Sequence, residues 1–208
     1  EAGYKVGLYT SPHLKDFRER IKINGKMISK ETVVDFVQQY KTDFEKIEMS
    51  FFEFTVAMSF NYFSEEKVDI AIIETGLGGR LDSTNIINPL VSVITNIGFD
   101  HTSLLGNTIK KIALEKAGII KENTPVIIGR KQKECENIFI RKAKENNSEI
   151  IFCRGETKYQ TDLKGNYQSE NVRTTLFSIK EIQKQEFKIS EENIKNGLLN
   201  VVKNTSIL

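Results

Sequence analysis

Apolar and polar positions follow one another along the chain in a way that predicts short strands separated by longer helices. The predicted strands cover residues 5–9, 68–74, 90–95, 125–128 and 149–152, and residues 20–28 predict a hairpin that turns at Asn24–Gly25. The predicted helices cover residues 31–47, 50–66, 108–118, 133–146, 169–183 and 190–202. The runs at 68–74 and 90–95 are apolar without alternation, which is typical of inner strands of a parallel sheet. Together the elements predict an α/β fold, a doubly wound, mostly parallel sheet flanked by helices.

Composition narrows the class of protein. The chain has 208 residues and a formal net charge of +2, with acids and bases interleaved. This balance lacks the basic footprint that nucleic acids or anionic membranes attract, so we expect neither as a partner. No apolar run approaches the ~20 residues that span a bilayer. Cys135 and Cys153 form no CxxC motif, so we expect reduced structural thiols in a cytoplasmic protein, with a single disulfide as the alternative.

A carboxylate and a glycine-rich loop follow the predicted strand at 68–74. Glu74 ends this strand, and Gly76, Gly78 and Gly79 come soon after it. Glycines let a backbone approach a ligand closely and present its N–H groups. A carboxylate beside such a loop suits Mg²⁺ that is bound together with nucleotide phosphates. The alternative is that Glu74 only fixes the loop.

The next strand and helix carry a histidine and a lysine. Asp100 and His101 follow the strand at 90–95, and Lys116 lies on the helix after them. α/β enzymes build their sites from side chains at the carboxyl ends of parallel strands. An imidazole ligand by itself indicates Zn²⁺ or Mn²⁺ rather than Mg²⁺. The alternatives are a structural histidine and a surface lysine on an amphipathic helix.

Two further segments carry weaker signals. Ser11 follows the first strand and offers a neutral hydroxyl oxygen for Mg²⁺, or else forms a turn ahead of Pro12. His13, two residues on, is predicted to be structural or to lie beside a substrate. Asn171 closes the segment LKGNYQSEN, and an asparagine amide can contact the edge of adenine with one donor and one acceptor.

Seven segments in this order resemble the central ATPase domain of the Mur ligase superfamily, and most closely its folylpolyglutamate synthase/dihydrofolate synthase branch. They are YTSPHL (9–14), RERIKING (18–25), FFEF (51–54), ETGLGGRLDSTN (74–85), GFDHTSLLGNT (98–108), EKAGIIK (115–121) and LKGNYQSEN (163–171). The resemblance implies that residues 1–208 are part of such a domain. Residues 1–130 would carry the metal and folate loops, and residues 131–208 the remainder with the adenine-side motif.

The resemblance also implies an activity and a set of site residues. Enzymes of this branch use ATP to convert a folate or dihydropteroate carboxylate into an acyl phosphate, which the amine of L-glutamate then attacks. By resemblance, Ser11 would bind a first Mg²⁺, and His101 and a carbamylated Lys116 would hold a second. Glu74 would bind one or both ions. Phe52, Asp82 and Ser83 would line the pterin pocket, and Asn171 would contact adenine.

The chain departs from the family pattern in ways that affect these expectations. No Walker A sequence, G-x-x-x-x-G-K-[ST], occurs in it, and Tyr167 replaces the usual histidine of the adenine-side motif. The family's C-terminal domain is also not represented. We therefore expect a truncated domain that is inactive alone, with the activity belonging to a longer parent. The parent is expected to be a monomer, whereas the truncated sheet could pair with a second copy.

Three other functions remain as alternatives. A non-catalytic remnant that binds a pterin or a protein partner would retain the loops without turnover. A cell-wall Mur ligase is disfavoured by GLGGRLDSTN and EKAGI. An NAD-binding domain is disfavoured because no G-x-G-x-x-G opens a helix after a strand.

Overall fold

The computed structural model describes residues 1–205, which form two compact units. The smaller unit comprises Gly3–Gly76 together with residues 203–205, and the larger unit comprises Glu1–Ala2 and Leu77–Val202. None of the helices in the described part of the chain is long and apolar enough to cross a membrane.

The smaller unit is built on a four-stranded sheet with the order β3-β2-β1-β4. Its elements are β1 (Val6–Tyr9), β2 (Ile21–Ile23), β3 (Lys26–Met27), α1 (Lys30–Lys46), α2 (Phe51–Glu65) and β4 (Ile70–Ile73), with a 3-10 helix at Phe17–Arg20. β1 pairs in parallel with β4 and antiparallel with β2. The β2–β3 turn places Asn24 and Gly25 at φ of 47° and 78°. Two consecutive positive φ values are those of the predicted tight hairpin turn.

Local capping explains where the two long helices of this unit begin. Ser29 accepts a hydrogen bond from the backbone of Thr32 at the start of α1. Ser50 and Glu53 form a reciprocal capping box at the start of α2. Each interaction satisfies backbone N–H groups that have no partner within the helix.

The core of the smaller unit is rich in aromatic residues. Its buried members are Tyr9, Ile21, Ile23, Ile28, Phe36, Val56, Met58 and Phe63. Gly7 is close to the ring of Phe63, because a Cβ at this position would lie 2.9 Å from Cδ1 of that ring. The absence of a side chain on β1 therefore lets α2 approach the sheet.

The larger unit contains a three-stranded parallel sheet with the order β5-β6-β7. Its elements are β5 (Ser92–Ile94), α3 (Thr102–Leu105), α4 (Ile109–Lys116), β6 (Val126–Ile128), α5 (Lys133–Glu145), β7 (Ile150–Phe152), α6 (Gln168–Gln183) and α7 (Glu191–Leu199). Short 3-10 helices lie at Ser83–Ile86 and Ala117–Ile119, and a last helix, α8, covers Val201–Thr205.

The core of the larger unit lies among its sheet, α4 and α5. Its buried members are Ile94, Ile97, Ile112, Ala113, Ala117, Ile120, Val126, Ile128, Cys135, Phe139 and Ala143. Cys135 and Cys153 are both free and buried, as predicted for reduced structural thiols. Burial raises the pKa of both thiols, because it disfavours the charged thiolate.

The predicted α/β class and mostly parallel pairing are confirmed, and three details of the prediction are corrected. β4 and β5, predicted as inner strands, each pair on one side only among residues 1–205. The helix predicted at 190–202 is broken after Leu199, where Asn200 has a φ of −126°. The helix predicted to stop at Gly118 ends at Lys116 and continues as a 3-10 turn.

Candidate active site

The smaller unit brings Ser11 and Glu74 together at the carboxyl edge of its sheet. Tyr9 is paired with Ile73 in the parallel register of β1 and β4, so the residues after both strands emerge side by side. The backbone N–H of Ser11 donates to Oε2 of Glu74 at 2.7 Å, and the backbone N–H of Glu74 donates to the carbonyl of Tyr9 at 3.0 Å. The Glu74 side chain is otherwise exposed and has a second oxygen available. The two residues form one oxygen-rich corner.

Phe52 packs against the backbone two residues after Glu74. A Cβ at Gly76 would overlap the ring of Phe52, so this position has no room for a side chain. The same ring lies 6.3 Å from that of Tyr9. Phe52 on α2 is therefore an aromatic wall next to the Ser11–Glu74 corner, within a single unit.

In the larger unit the rest of the glycine-rich loop is packed onto α3 and α4. A Cβ at Gly78 would lie 2.8 Å from Leu105, and one at Gly79 would lie 2.8 Å from the carbonyl oxygen of Glu115. The guanidinium of Arg80 pairs with the carboxylate of Glu115 at 3.1 Å. Arg80 and Glu115 are 35 residues apart in the sequence. Their ion pair therefore joins the motifs GLGGR and EKAG into one packed structure.

The carboxylate of Asp82 accepts hydrogen bonds from backbone groups of its own loop. Its Oδ2 accepts the backbone N–H of Leu77 at 2.8 Å, and its Oδ1 accepts the backbone N–H of Thr84 at 2.9 Å. The side chain is 8% exposed and caps the 3-10 helix that contains Ser83. These bonds fix the loop's shape, so the geometry assigns Asp82 a structural role whether or not a ligand also lies nearby.

Lys116 ends α4 at the point where the loop meets the helix. Its side chain is half-buried. Within the described residues it has neither a hydrogen-bond partner nor an ion-pair partner. The carbonyl oxygen of Lys116 lies 3.0 Å from the position a Gly79 Cβ would occupy, so the loop touches the residue itself.

His101 is one of several non-glycine residues in the described chain with a left-handed backbone. Its φ of 48° is left-handed, and its backbone opens α3. Its N–H donates to Oδ1 of Asp100 at 2.8 Å, and its side chain is 56% exposed. Left-handed backbone at a non-glycine residue costs about 1 kcal/mol or more and is concentrated at functional sites.

Asn171 lies on the first turn of α6. Its side-chain amide donates to Oε1 of Gln168 at 3.0 Å, and it is exposed. The neighbouring Glu170 is held by Arg130, which follows β6, through bonds of 2.9 and 3.0 Å. This ion pair anchors the start of α6 next to the carboxyl end of the parallel sheet.

The sequence did not predict the burial of Arg20. Arg20 lies in the run Arg18–Glu19–Arg20, which is indistinguishable in sequence from an exposed cluster of charges. In the structure its side chain is only 8% exposed. Nothing in the local pattern indicates burial, because the packing comes from Phe51, which is distant in sequence.

Comparisons with known proteins place the chain in a family. Residues 22–202 match the family model described as the Mur ligase middle domain. The dihydrofolate synthase/folylpolyglutamate synthase of Bacillus subtilis is 37% identical over 231 aligned residues, covering 96% of this chain and 54% of that protein. A folylpolyglutamate synthase from Thermotoga maritima has a solved structure with a TM-score of 0.82 and 34% identity, covering 95% of this chain and 51% of that one. Escherichia coli FolC, solved with DHPP and ADP, has a TM-score of 0.82 and 29% identity, covering 95% and 50%.

The chain therefore belongs to the Mur ligase family, and residues 22–202 correspond to its middle domain. Within that family, the relatives named above are folylpolyglutamate and dihydrofolate synthases. The chain spans about half the length of these relatives. The resemblance found in the sequence motifs is confirmed.

Proposed function

We propose that this chain is part of an ATP-dependent ligase that joins L-glutamate to a folate or dihydropteroate carboxylate. A carboxylate oxygen of the substrate would attack the γ-phosphorus of ATP, and ADP would leave. The amine of glutamate would then attack the acyl carbon and expel phosphate. The observation that carries the proposal is the joint packing of GLGGR and EKAG around Lys116, in a chain whose relatives are synthases of this type.

Ser11 and Glu74 are proposed to hold Mg²⁺. No group of three or more His, Cys, Asp or Glu side chains lies close enough to bind a metal within residues 1–205. The Ser11–Glu74 corner nevertheless fits Mg²⁺, which takes hard oxygen donors and keeps several of its waters. When bound, Mg²⁺ would neutralise charge on the phosphates. The Ser11 N–H orients the Glu74 carboxylate by holding one of its oxygens.

His101 and Lys116 are proposed as further ligands of a second Mg²⁺, with Lys116 carrying a carbamate. A carbamate turns the ammonium into a carboxylate-like anion, which suits a site that holds cations. One observation supports the proposal: the side chain of Lys116 is half-buried and has no hydrogen-bond or ion-pair partner among the described residues. Phe52, Asp82 and Ser83 are proposed to line the pterin pocket, and Asn171 to contact adenine. We further propose a cytoplasmic location and a monomeric parent.

A coupled assay tests the ligase function. The polypeptide that contains this chain should form ADP only when L-glutamate and either dihydropteroate or a reduced folate are both present, and mass spectrometry should show the added glutamate. ADP release without either substrate, or no product with both, would overturn the proposal. Pterin binding without formation of ADP would instead support the alternative, a non-catalytic binding protein.

A further inference from the structure

The side chain of Gln132 holds the backbone of Ile97 through two hydrogen bonds. Its Nε2 donates to the carbonyl oxygen of Ile97 at 2.8 Å, and its Oε1 accepts the N–H of the same residue at 2.8 Å. A side-chain amide carries both a donor and an acceptor, so the pair of bonds fixes the orientation of Ile97 as well as its distance. Ile97 is 5% exposed, and unpaired backbone groups are costly at such a buried position. The amide therefore takes the place of a neighbouring strand.

This pair of bonds extends the contact between β5 and β6 beyond the ends of both strands. The N–H of Gly129 donates to the carbonyl of Ile94 at 2.9 Å, and the N–H of Arg130 donates to the carbonyl of Thr95 at 2.8 Å. The chain after β6 then turns into α5, so its backbone no longer runs beside the chain after β5. The side chain of Gln132 supplies the next link.

Gln132 occupies the residue just before α5, where serine, threonine, aspartate or asparagine usually caps a helix with its side chain. The side chain of Gln132 forms no such cap. Only its backbone carbonyl serves α5, by accepting the N–H groups of Cys135 and Glu136 at 3.0 Å each. Its amide is thus used for Ile97 and not for its own helix.

The loop that follows Ile97 has little else to hold it. Residues 98–100 are exposed, and a Cβ at Gly98 would meet nothing within 4 Å. Among residues 1–205, no hydrogen bond joins residues 98–100 to another segment of the chain. His101 comes next, at the start of α3, whose Leu105 packs against the core of the larger unit. Ile97 is therefore the last fixed point before His101.

We infer that Gln132 is a positioning residue for His101. By fixing Ile97, its amide sets the direction in which the loop leaves the sheet, while α3 fixes the other end of the loop. A metal ligand has to be held within about 0.5 Å of its productive place by the groups behind it. That His101 serves Mg²⁺ rests on the proposed function, whereas the control of the loop by Gln132 does not.

Hydrogen exchange followed by mass spectrometry tests the control of the loop. In the polypeptide that contains this chain, we expect Gln132→Met to speed exchange in residues 95–101 at least tenfold, because methionine has a similar length and no amide. Gln185→Met is the matched control, since Nε2 of Gln185 donates to the carbonyl of Leu90 at 2.8 Å, before the other end of β5. It should leave exchange in residues 95–101 unchanged. Equal exchange in Gln132→Met and the wild type would overturn the inference.

The dependence on Mg²⁺ separates positioning from general support of the fold. Gln132→Met should raise the Mg²⁺ concentration for half-maximal ADP formation about tenfold, as expected for the loss of one to two hydrogen bonds, and lower kcat at saturating Mg²⁺ less than threefold. Gln185→Met should change neither value. Titration with Mn²⁺, followed by electron paramagnetic resonance, makes the same comparison without turnover. Equal metal dependence of Gln132→Met and the wild type would mean that the Ile97 contact does not serve His101.

A second variant covers the case in which Gln132→Met does not fold. Gln132→Glu keeps the size of the side chain and the acceptor for the Ile97 N–H, but it places an oxygen against the Ile97 carbonyl in place of the donor. Exchange in residues 95–101 and the half-saturating Mg²⁺ concentration should both rise. Wild-type values for this variant would refute the positioning role.

The two proposals fail in different ways. Hydrogen exchange needs neither ATP nor turnover. Faster exchange in Gln132→Met, in a protein whose wild type has no ligase activity, would refute only the proposed function. An active ligase whose loop exchange and Mg²⁺ dependence are indifferent to Gln132→Met would refute only the role of Gln132.

Discussion

The backbone of Arg80 lies so close to Gly118 that only glycine fits at the end of the EKAG segment. A Cβ there would overlap the backbone of Arg80, and the carbonyl of Gly118 accepts a bond from the Asn85 amide at 3.1 Å. The sequence suggested a helix stop, but α4 has already ended at Lys116. The glycine allows the loop to pack on the helix, and this contact is what positions Lys116.

Gly118→Ala is therefore expected to lower the free energy of unfolding by about 1–3 kcal/mol, because the overlapping atoms are backbone and cannot swing aside. Gly98→Ala is the control in the same unit, since a Cβ there meets nothing within 4 Å. It should change stability by less than about 0.5 kcal/mol. Urea unfolding followed by circular dichroism measures both, and equal midpoints would show that the loop yields to the extra atom.

Glu74 offers a prediction about activity rather than stability. Glu74→Gln keeps the size of the side chain and can still accept the N–H of Ser11, but it removes the negative charge proposed to hold Mg²⁺. In the polypeptide that contains this chain, we expect turnover to fall at least a hundredfold with little change in melting temperature. Glu65→Gln, an exposed glutamate on α2, is the control. Near-normal kcat for Glu74→Gln at saturating Mg²⁺ would rule out the metal role.

At the scale of secondary-structure elements, the sequence predicts features that depend on local interactions better than features that depend on residues distant in the chain. Ser29, Ser50 and the Asn24–Gly25 turn act through bonds to residues next to them, so the sequence locates α1, α2 and the hairpin. The pairing of β4 was not predicted correctly. The apolar run IAII predicted a buried inner strand, but β4 pairs on one side only among residues 1–205 and Ile72 is 58% exposed.

The capping box of α2 gives a test of this local control. Ser50→Ala removes the acceptor for the backbone N–H of Glu53, and we expect a loss of about 1 kcal/mol. Ser64→Ala, near the exposed end of the same helix, should be neutral or slightly stabilising, since alanine favours helix. Thermal unfolding compares the two. If both substitutions have the same effect, the capping bond contributes nothing.

The same box makes a prediction about pH. The pKa of Glu53 is lowered from its ordinary 4.5, first by the hydrogen bond from the Ser50 side chain and then by the bond from its backbone. A lowered folded-state pKa means that the ionised group stabilises the fold above 4.5 and loses this effect as pH falls through the folded value. The wild-type chain should therefore lose more stability between pH 6 and pH 3 than Glu53→Gln does. Parallel stability curves for the two proteins would contradict this.

For the whole molecule, proximity of residues is easier to predict from sequence where they follow neighbouring strands than where they meet through side-chain packing. Ser11 and Glu74 follow paired parallel strands, so their proximity could be foreseen from the strand ends. The burial of Arg20 could not, because it depends on a ring in α2 that no local pattern connects to it. The role of Gly118 likewise depends on a segment more than thirty residues away.

The two buried thiols provide a probe of folding in the larger unit. Cys135 and Phe139 lie one turn apart on α5, and both belong to the same core. Because burial raises the pKa of the thiols and excludes reagent, labelling by a thiol reagent should be slow until the core opens. Phe139→Ala should cost about 3–5 kcal/mol and move the labelling transition to lower urea. Ile140→Ala, at a position 41% exposed on the same helix, should leave it nearly unchanged. Fast labelling of the wild-type chain without urea would mean that this core opens far more readily than its packing implies.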